Sequence, residues 1–267
     1  LGIEARFRAG QSLVRMGAHE QGCQILELFA EKYRVSWLAP YALMEVCLSK
    51  WDRGSKDSFD TLAIMRLRYS GHLALKSALN QMDARLSAAM PNVQLMADRE
   101  LIEYFSPKVS MLRKASAASG IMISNSGFIG RGAAILRARG KPEWIIDNLP
   151  EARSECAAAL VQLGFFERVL MEYPEKRYQC ASALNKLGRH DAVVAGYSDD
   201  KRTVATALIC RGQFDVVCRD FQNLRDRCAM AKVMQGNYDE VLEKFPDQSE
   251  AVIYSLIFFG RAQEALS

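Results

Sequence analysis

Four cations recur at one spacing: Arg153, Arg177, Lys201 and Arg225 stand 24 residues apart. If they lie on like helices stacked at ordinary interaxial distances, their charges fall roughly 10 Å apart. Such a ladder suits a phosphate backbone, an anionic polysaccharide or an acidic peptide. Arg131, Arg137 and Arg139 extend the positive charge toward the N-terminus. The segments carrying these cations begin with Glu151, Glu175 and Asp199, so a second reading stands beside the first. In it each cation bridges neighbouring segments in an exposed ion pair.

Little else in the chain points to chemistry. His19, His72 and His190 are the only histidines, and neither a Gly-x-Ser-x-Gly elbow nor a His-Glu-x-x-His pair occurs. Of the seven cysteines no two stand at Cys-x-x-Cys spacing, which a zinc site requires. Cys156, Cys180 and Cys228 hold one place in their segments, where others carry Val204 and Val252. That interchange marks small buried apolar residues, and an odd count without framework spacing points to a reducing compartment, the cytoplasm. Ile121 to Ser124, then Gly127, Gly130 and Gly132, then Ala133 onward, read as a strand, a glycine-rich turn and a helix, the one phosphate-cradle arrangement present. Its glycine order is wrong for a dinucleotide and the Lys-Ser/Thr of a P-loop is missing. The same residues align as a structural repeat, with Leu136, Gly140, Ile145, Ile146, Leu149 and Pro150 in place, and that reading is preferred. No catalytic group, cofactor or metal site is assigned, and the chain is read as non-enzymatic.

The elements that must position the ladder are set by glycine. Gly140, Gly164, Gly188, Gly212, Gly236 and Gly260 return every 24 residues. Before each lies a helix with small residues at fixed places: Ala157, Ala181, Ala205 and Ala229 at one, Ala159, Ala183, Ala207 and Ala231 at another. They allow close helix approach. The glycine ends that helix in the left-handed conformation. A short second helix follows, roughly two turns long, with an acid in its first turn (Glu167, Asp191, Asp215, Asp239) and a buried pair such as Val169 and Leu170. Leu149, Tyr173, Tyr197, Phe221 and Phe245 anchor its end, with Pro following in three copies. His190 takes the place of Phe166, Phe214 and Tyr238, which reads as a packing ring.

On its small residues, turn glycine and closing proline the pattern resembles the tetratricopeptide-like superfamily of helical hairpin repeats. The resemblance covers residues 127–267, and residues 1–35, with Ala9, Gly10, Leu13, Gly17 and a helix from Gln21 to Tyr33, resemble a full-length unit of that family. It implies an all-α fold, an α-solenoid of stacked hairpins, with units of 24 rather than about 34 residues. Residues 1–120 read as an irregular helical array and 121–267 as the repeat array, continuous with it. In the first array helices are predicted at 3–16, 18–33, 36–49, 57–69, 72–89 and 95–105, with breaks at Gly17, Asp52 to Gly54, Gly71, Pro91 and Pro107. A helix with a loop is predicted from Lys108 to Ser126.

Composition sets the remaining limits. The 267 residues are 49% hydrophobic and 25% charged, as in folded globular chains, and no apolar run reaches the ~18 residues of a membrane span. A net charge of +4, with acids interleaved and no aromatic platform, disfavours nucleic acid. Two places read as exposed grow more apolar along the array: Ala134, Ala158, Ser182, Thr206, Met230, Tyr254 at the eighth, and Arg137, Val161, Asn185, Ile209, Val233, Ile257 at the eleventh. With Phe258 and Phe259 they make Tyr254, Ile257 and Phe258 a candidate C-terminal docking surface. The expectation is a non-catalytic scaffold for a protein or peptide partner, an adjoining domain in cis or a second copy of the chain. The alternative is an accessory substrate-positioning or oligomerisation domain of a larger enzyme, such as a polymer-modifying transferase or a kinase. The missing initiator Met and uncapped end fit a fragment of a larger protein.

Overall fold

A computed structural model describes residues 2–93, 96–122, 127–259 and 261. Seventeen α-helices and no strand occur among them. The chain divides into two compact units, residues 1–156 and 157–267.

The first unit holds α1 (Ile3–Arg15), α2 (His19–Lys32), α3 (Ala39–Asp52), α4 (Asp57–Arg68), α5 (Leu73–Ala88), α6 (Asp98–Ser119), α7 (Gly127–Ala138) and α8 (Pro142–Asn148). From α1 to α8 each helix packs on the next, α3 packs on α1 and α5, α4 on α6, and α5 on α7. The α1–α2 crossing is close because glycines face it. A Cβ at Gly10 would lie 2.7 Å from Leu26 Cγ, and one at Gly22 would lie 2.9 Å from the Gly10 carbonyl oxygen. Phe105, Phe128, Leu62, Met65 and Met82 are fully buried in this unit.

Two sequence expectations are corrected here. Helix α3 starts at Ala39, not residue 36, because Pro40 fits only a first turn. Pro107 does not break the chain but lies inside α6, which runs on to Ser119 and ends at Gly120 with φ 70°. Losing one helical bond to proline costs about 3 kcal/mol. Burial of Leu101, Phe105, Val109 and Leu112, which run unbroken past exposed Pro107, contributes roughly 1.5–3 kcal/mol each. The glycine-rich segment follows the repeat reading and not the phosphate-cradle one: Gly127 to Gly132 are the first residues of α7, not a loop. Position 132 of that helix needs glycine, because an added Cβ would lie 2.5 Å from Phe105 Cε1. Of the strand in the phosphate-cradle alternative, Ile121 and Met122 have no regular structure, while Ile123 and Ser124 lie outside the described residues.

From α8 onward every element recurs in register. First helices are α9 (Arg153–Gln162), α11 (Arg177–Lys186), α13 (Lys201–Cys210), α15 (Arg225–Met234) and α17 (Ser249–Phe258). Second helices are α8, α10 (Phe166–Glu172), α12 (His190–Gly196), α14 (Phe214–Asp220) and α16 (Tyr238–Lys244), each of seven residues, the two turns expected. Gly140, Gly164, Gly188, Gly212 and Gly236 all have φ between 72° and 82°. Each turn closes with the same two bonds. At Gly188 its amide donates to Asn185 O and the Arg189 amide donates to Leu184 O, at 3.1 and 2.9 Å, which is the Schellman arrangement. Gly260 lies outside the described residues, but Arg261 N donates to Leu256 O at 2.8 Å, the second of those bonds in the same register.

In the second unit α11, α13, α15 and α17 pack on one another in turn, and each second helix packs on the next first helix. The alanines allow this: Ala181, Ala183, Ala205, Ala207, Ala229 and Ala231 have no exposed surface. The eleventh place is not exposed throughout. Ile209 and Val233 are buried, Val233 in a cluster that includes Val241 of α16 and Ala251 of α17, because the following helix covers that side of α15.

Candidate interaction surfaces

The N-terminal residue of a first helix stands beside the end of the second helix that follows. Arg177 uses this position fully. Its Nη2 donates to Gly196 O at 3.1 Å and to Asp199 Oδ1 at 2.6 Å, and the guanidinium lies 5.0 Å from the centre of the Tyr197 ring. Arg225 repeats the set, with Lys244 O at 2.9 Å, Asp247 Oδ1 at 2.7 Å and Phe245 at 5.2 Å. A carbonyl, a ring and a carboxylate from the unit boundary thus hold each cation, through an ion pair, hydrogen bonds and a cation–π contact. The Arg177 hydrogen bond holds the Asp199 carboxyl below its ordinary range, and the Arg225 hydrogen bond lowers Asp247 to about 2.

Lys201 faces a different boundary. The acid's place there is taken by Asn223, so no carboxylate completes the clasp, and Arg202 pairs instead with Asp226. Arg153 opens α9 in the first unit. Of the flanking cations, Arg137 pairs with Glu155 at 2.8 Å, and Arg139 donates to Met96 O and Val93 O, both at 2.6 Å. Arg131 is exposed. The sequence carries no sign of one further clasp: Arg113 of α6, outside the repeat register, donates to Asn148 O and Glu151 Oε2, both at 2.8 Å.

The first-turn acids of the second helices make another set of links. Glu167 pairs with Arg189 at 2.6 Å, Asp191 with Arg211 at 2.9 Å, and Asp215 accepts from Gln235 Nε2 at 2.8 Å. His190 is half-buried with Nδ1 3.2 Å from Asn185 Oδ1.

The C-terminal residues form an apolar face on α17. Ile253, Tyr254, Ile257 and Phe258 are 41%, 44%, 49% and 63% exposed, and the Phe258 ring stacks on Tyr238 at 5.2 Å between centroids. Two features of the first unit were missed by sequence reasoning. One is a groove of about 570 Å³ between α2 and α4, over α3, with Glu27, Leu28, Lys50, Asp60, Ile64 and Arg68 in its walls. The other is a smaller apolar pocket of about 300 Å³ walled by Arg6, Ile25, Phe29, Lys32 and Tyr33. Neither follows the repeat, so no periodic signal marks them.

The phosphate-cradle amides are occupied by the protein itself: Gly127 N donates to Asp83 Oδ2 at 2.8 Å and Phe128 N to Asp83 Oδ1 at 3.2 Å. Among the described residues no group of three or more His, Cys, Asp or Glu is placed to hold a metal ion. No helix among them is long and apolar enough to cross a membrane. Burial pushes the Cys47 thiol up to about 12. Neither a protein-family model nor a curated protein matches the chain.

Proposed function

We propose that this chain is a non-catalytic α-solenoid of tetratricopeptide-like hairpins, a cytoplasmic scaffold that holds a protein partner through the face of α17. The observation that carries the reading is a contrast at one repeat position. Ala181, Ala205 and Ala229 are fully buried at the seventh place of the units that begin at Glu175, Asp199 and Asn223, whereas Ile253 at that place of the unit beginning at Asp247 is 41% exposed. A large aliphatic side chain where interior units bury alanine, continuous with Tyr254 and Ile257, is what a surface awaiting an apolar partner presents. A ligand stripe along the cation ladder has less support, because Arg177 and Arg225 already hold carboxylates.

The reading is tested by affinity capture from extract at low and high salt, using wild type, Ile253→Glu with Ile257→Glu, and Arg177→Gln with Arg225→Gln. Protein partners that survive high salt and are lost only in the isoleucine variant are the expected result. An empty capture, or partners indifferent to Ile253 and Ile257, overturns the α17 surface. Capture that vanishes at high salt and in the arginine variant returns the ladder to an anionic-polymer role.

A further inference from the structure

The boundary that lacks the arginine clasp differs from its sisters in a second respect. Helices α14 and α15 pack directly, and the twentieth place of one unit and the sixth place of the next lie ten residues apart across that boundary. These pairs are Leu170 with Cys180, Val194 with Val204, Cys218 with Cys228, and Leu242 with Val252. Only the third has two thiols. Cys218 Sγ lies 3.9 Å from Cys228 O, and Cys228 Sγ lies 3.8 Å from Val217 O, one residue before Cys218. Both sulfurs therefore sit in one gap between the two helices. Cys228 is buried and Cys218 is half-buried, so one member of the pair meets solvent.

We propose that Cys218 and Cys228 form a redox-closable dithiol, oxidised by a small disulfide such as oxidised glutathione to an intramolecular bond tying α14 to α15. The Cys218 thiolate attacks one sulfur of oxidised glutathione, making a mixed disulfide and expelling a glutathione thiolate that takes up a proton. The Cys228 thiolate then attacks the Cys218 sulfur, and the second glutathione leaves. Two protein thiols are oxidised, one small disulfide is reduced to two thiols, and no other reagent is needed. Attack begins at Cys218 because it is the accessible sulfur. Burial, with Asp215 and Glu240, pushes its thiol up, against the pull of Lys232. Burial, the Cys218 thiol and Asp226 do the same to Cys228, against the pull of Arg225. The exchange is therefore slow at neutral pH and quickens as pH rises. Its product crosslinks the boundary at which Lys201 and Asn223 replace the cation and acid of the clasp. A bond across a ten-residue separation limits how far α14 and α15 part in partly opened states.

The full chain is incubated with oxidised glutathione at pH 8, quenched with an alkylating agent and mapped by peptide mass spectrometry without reduction. A Cys218–Cys228 linked peptide, two fewer alkylated thiols, reversal by dithiothreitol and slower amide exchange in α14 and α15 are expected. Cys218→Val and Cys228→Val should each abolish the link. Both place valine where sister units carry Val194 and Val204, so helix content should be kept. A glutathione adduct that persists on Cys218, linkage through exposed Cys210, or no reaction overturns the proposal, and each is read on the wild-type chain.

Discussion

Arg225 Nη2 lies 2.7 Å from Asp247 Oδ1 and 2.9 Å from Lys244 O, the same relation that Arg177 bears to Asp199 and Gly196 in an earlier unit. Recurrence across two boundaries makes the contact part of how units join. Asp247 is depressed to about 2 when folded, against about 3.9 in an unfolded chain. A depressed acid stabilises the fold above its unfolded value, and the contribution is lost as pH falls through the folded one. Thermal melts of wild type and Arg225→Gln should therefore differ slightly at pH 6 and converge as pH drops from about 4 to about 2. High salt should narrow the difference at pH 6. A gap that persists at pH 2 would assign the contact's worth to the Phe245 ring and Lys244 carbonyl.

Gly188 and Gly132 should fail for different reasons. At Gly188 a Cβ meets nothing within 4 Å, but φ is +72°, so Gly188→Val carries backbone strain of about 1–2 kcal/mol, and Gly188→Asn should recover part of it. Gly132 is helical, and a Cβ there would lie 2.5 Å from Phe105 Cε1, so Gly132→Ala should cost about 1–3 kcal/mol through overpacking. Phe105→Leu should relieve the second defect and leave the first unchanged in urea unfolding. Equal response of both variants to Phe105→Leu would refute the distinction.

Asp83 bonds the first two amides of α7, so Asp83→Ala should destabilise the chain by about 1 kcal/mol. Because the carboxylate also faces the positive end of the helix dipole, Asp83→Asn should cost less than Asp83→Ala but more than nothing. Amide exchange at Gly127 and Phe128 should quicken in both variants, and unchanged protection would mean that another group satisfies those amides.

The helix turns of the repeat array were legible because their determinants are local. A glycine at positive φ and two bonds within six residues end each first helix, and alanine at fixed places states which side must pack closely. Repetition separates that signal from chance substitutions. The ladder was legible as a column, but whether its cations are held depends on what lies at the next boundary: Asp199 and Asp247 complete a clasp, while Asn223 cannot. The apolar trend at the eleventh place was also visible, yet burial of Ile209 and Val233 beside exposure of Ile257 depends on whether another helix lies over that side.

The chain by itself determined the helical class, the 24-residue unit, its two-turn second helix and the left-handed glycine turns, since each follows from short-range sterics and hydrogen bonding. Only the tertiary structure decided that α6 runs through Pro107, that Asp83 caps α7 from 44 residues away, that Arg113 completes the clasp on Glu151 from outside the register, and that Cys218 and Cys228 share one gap. Those outcomes depend on which faces meet across long stretches of chain, and buried surface summed over a whole helix outweighs the preference of any single residue within it.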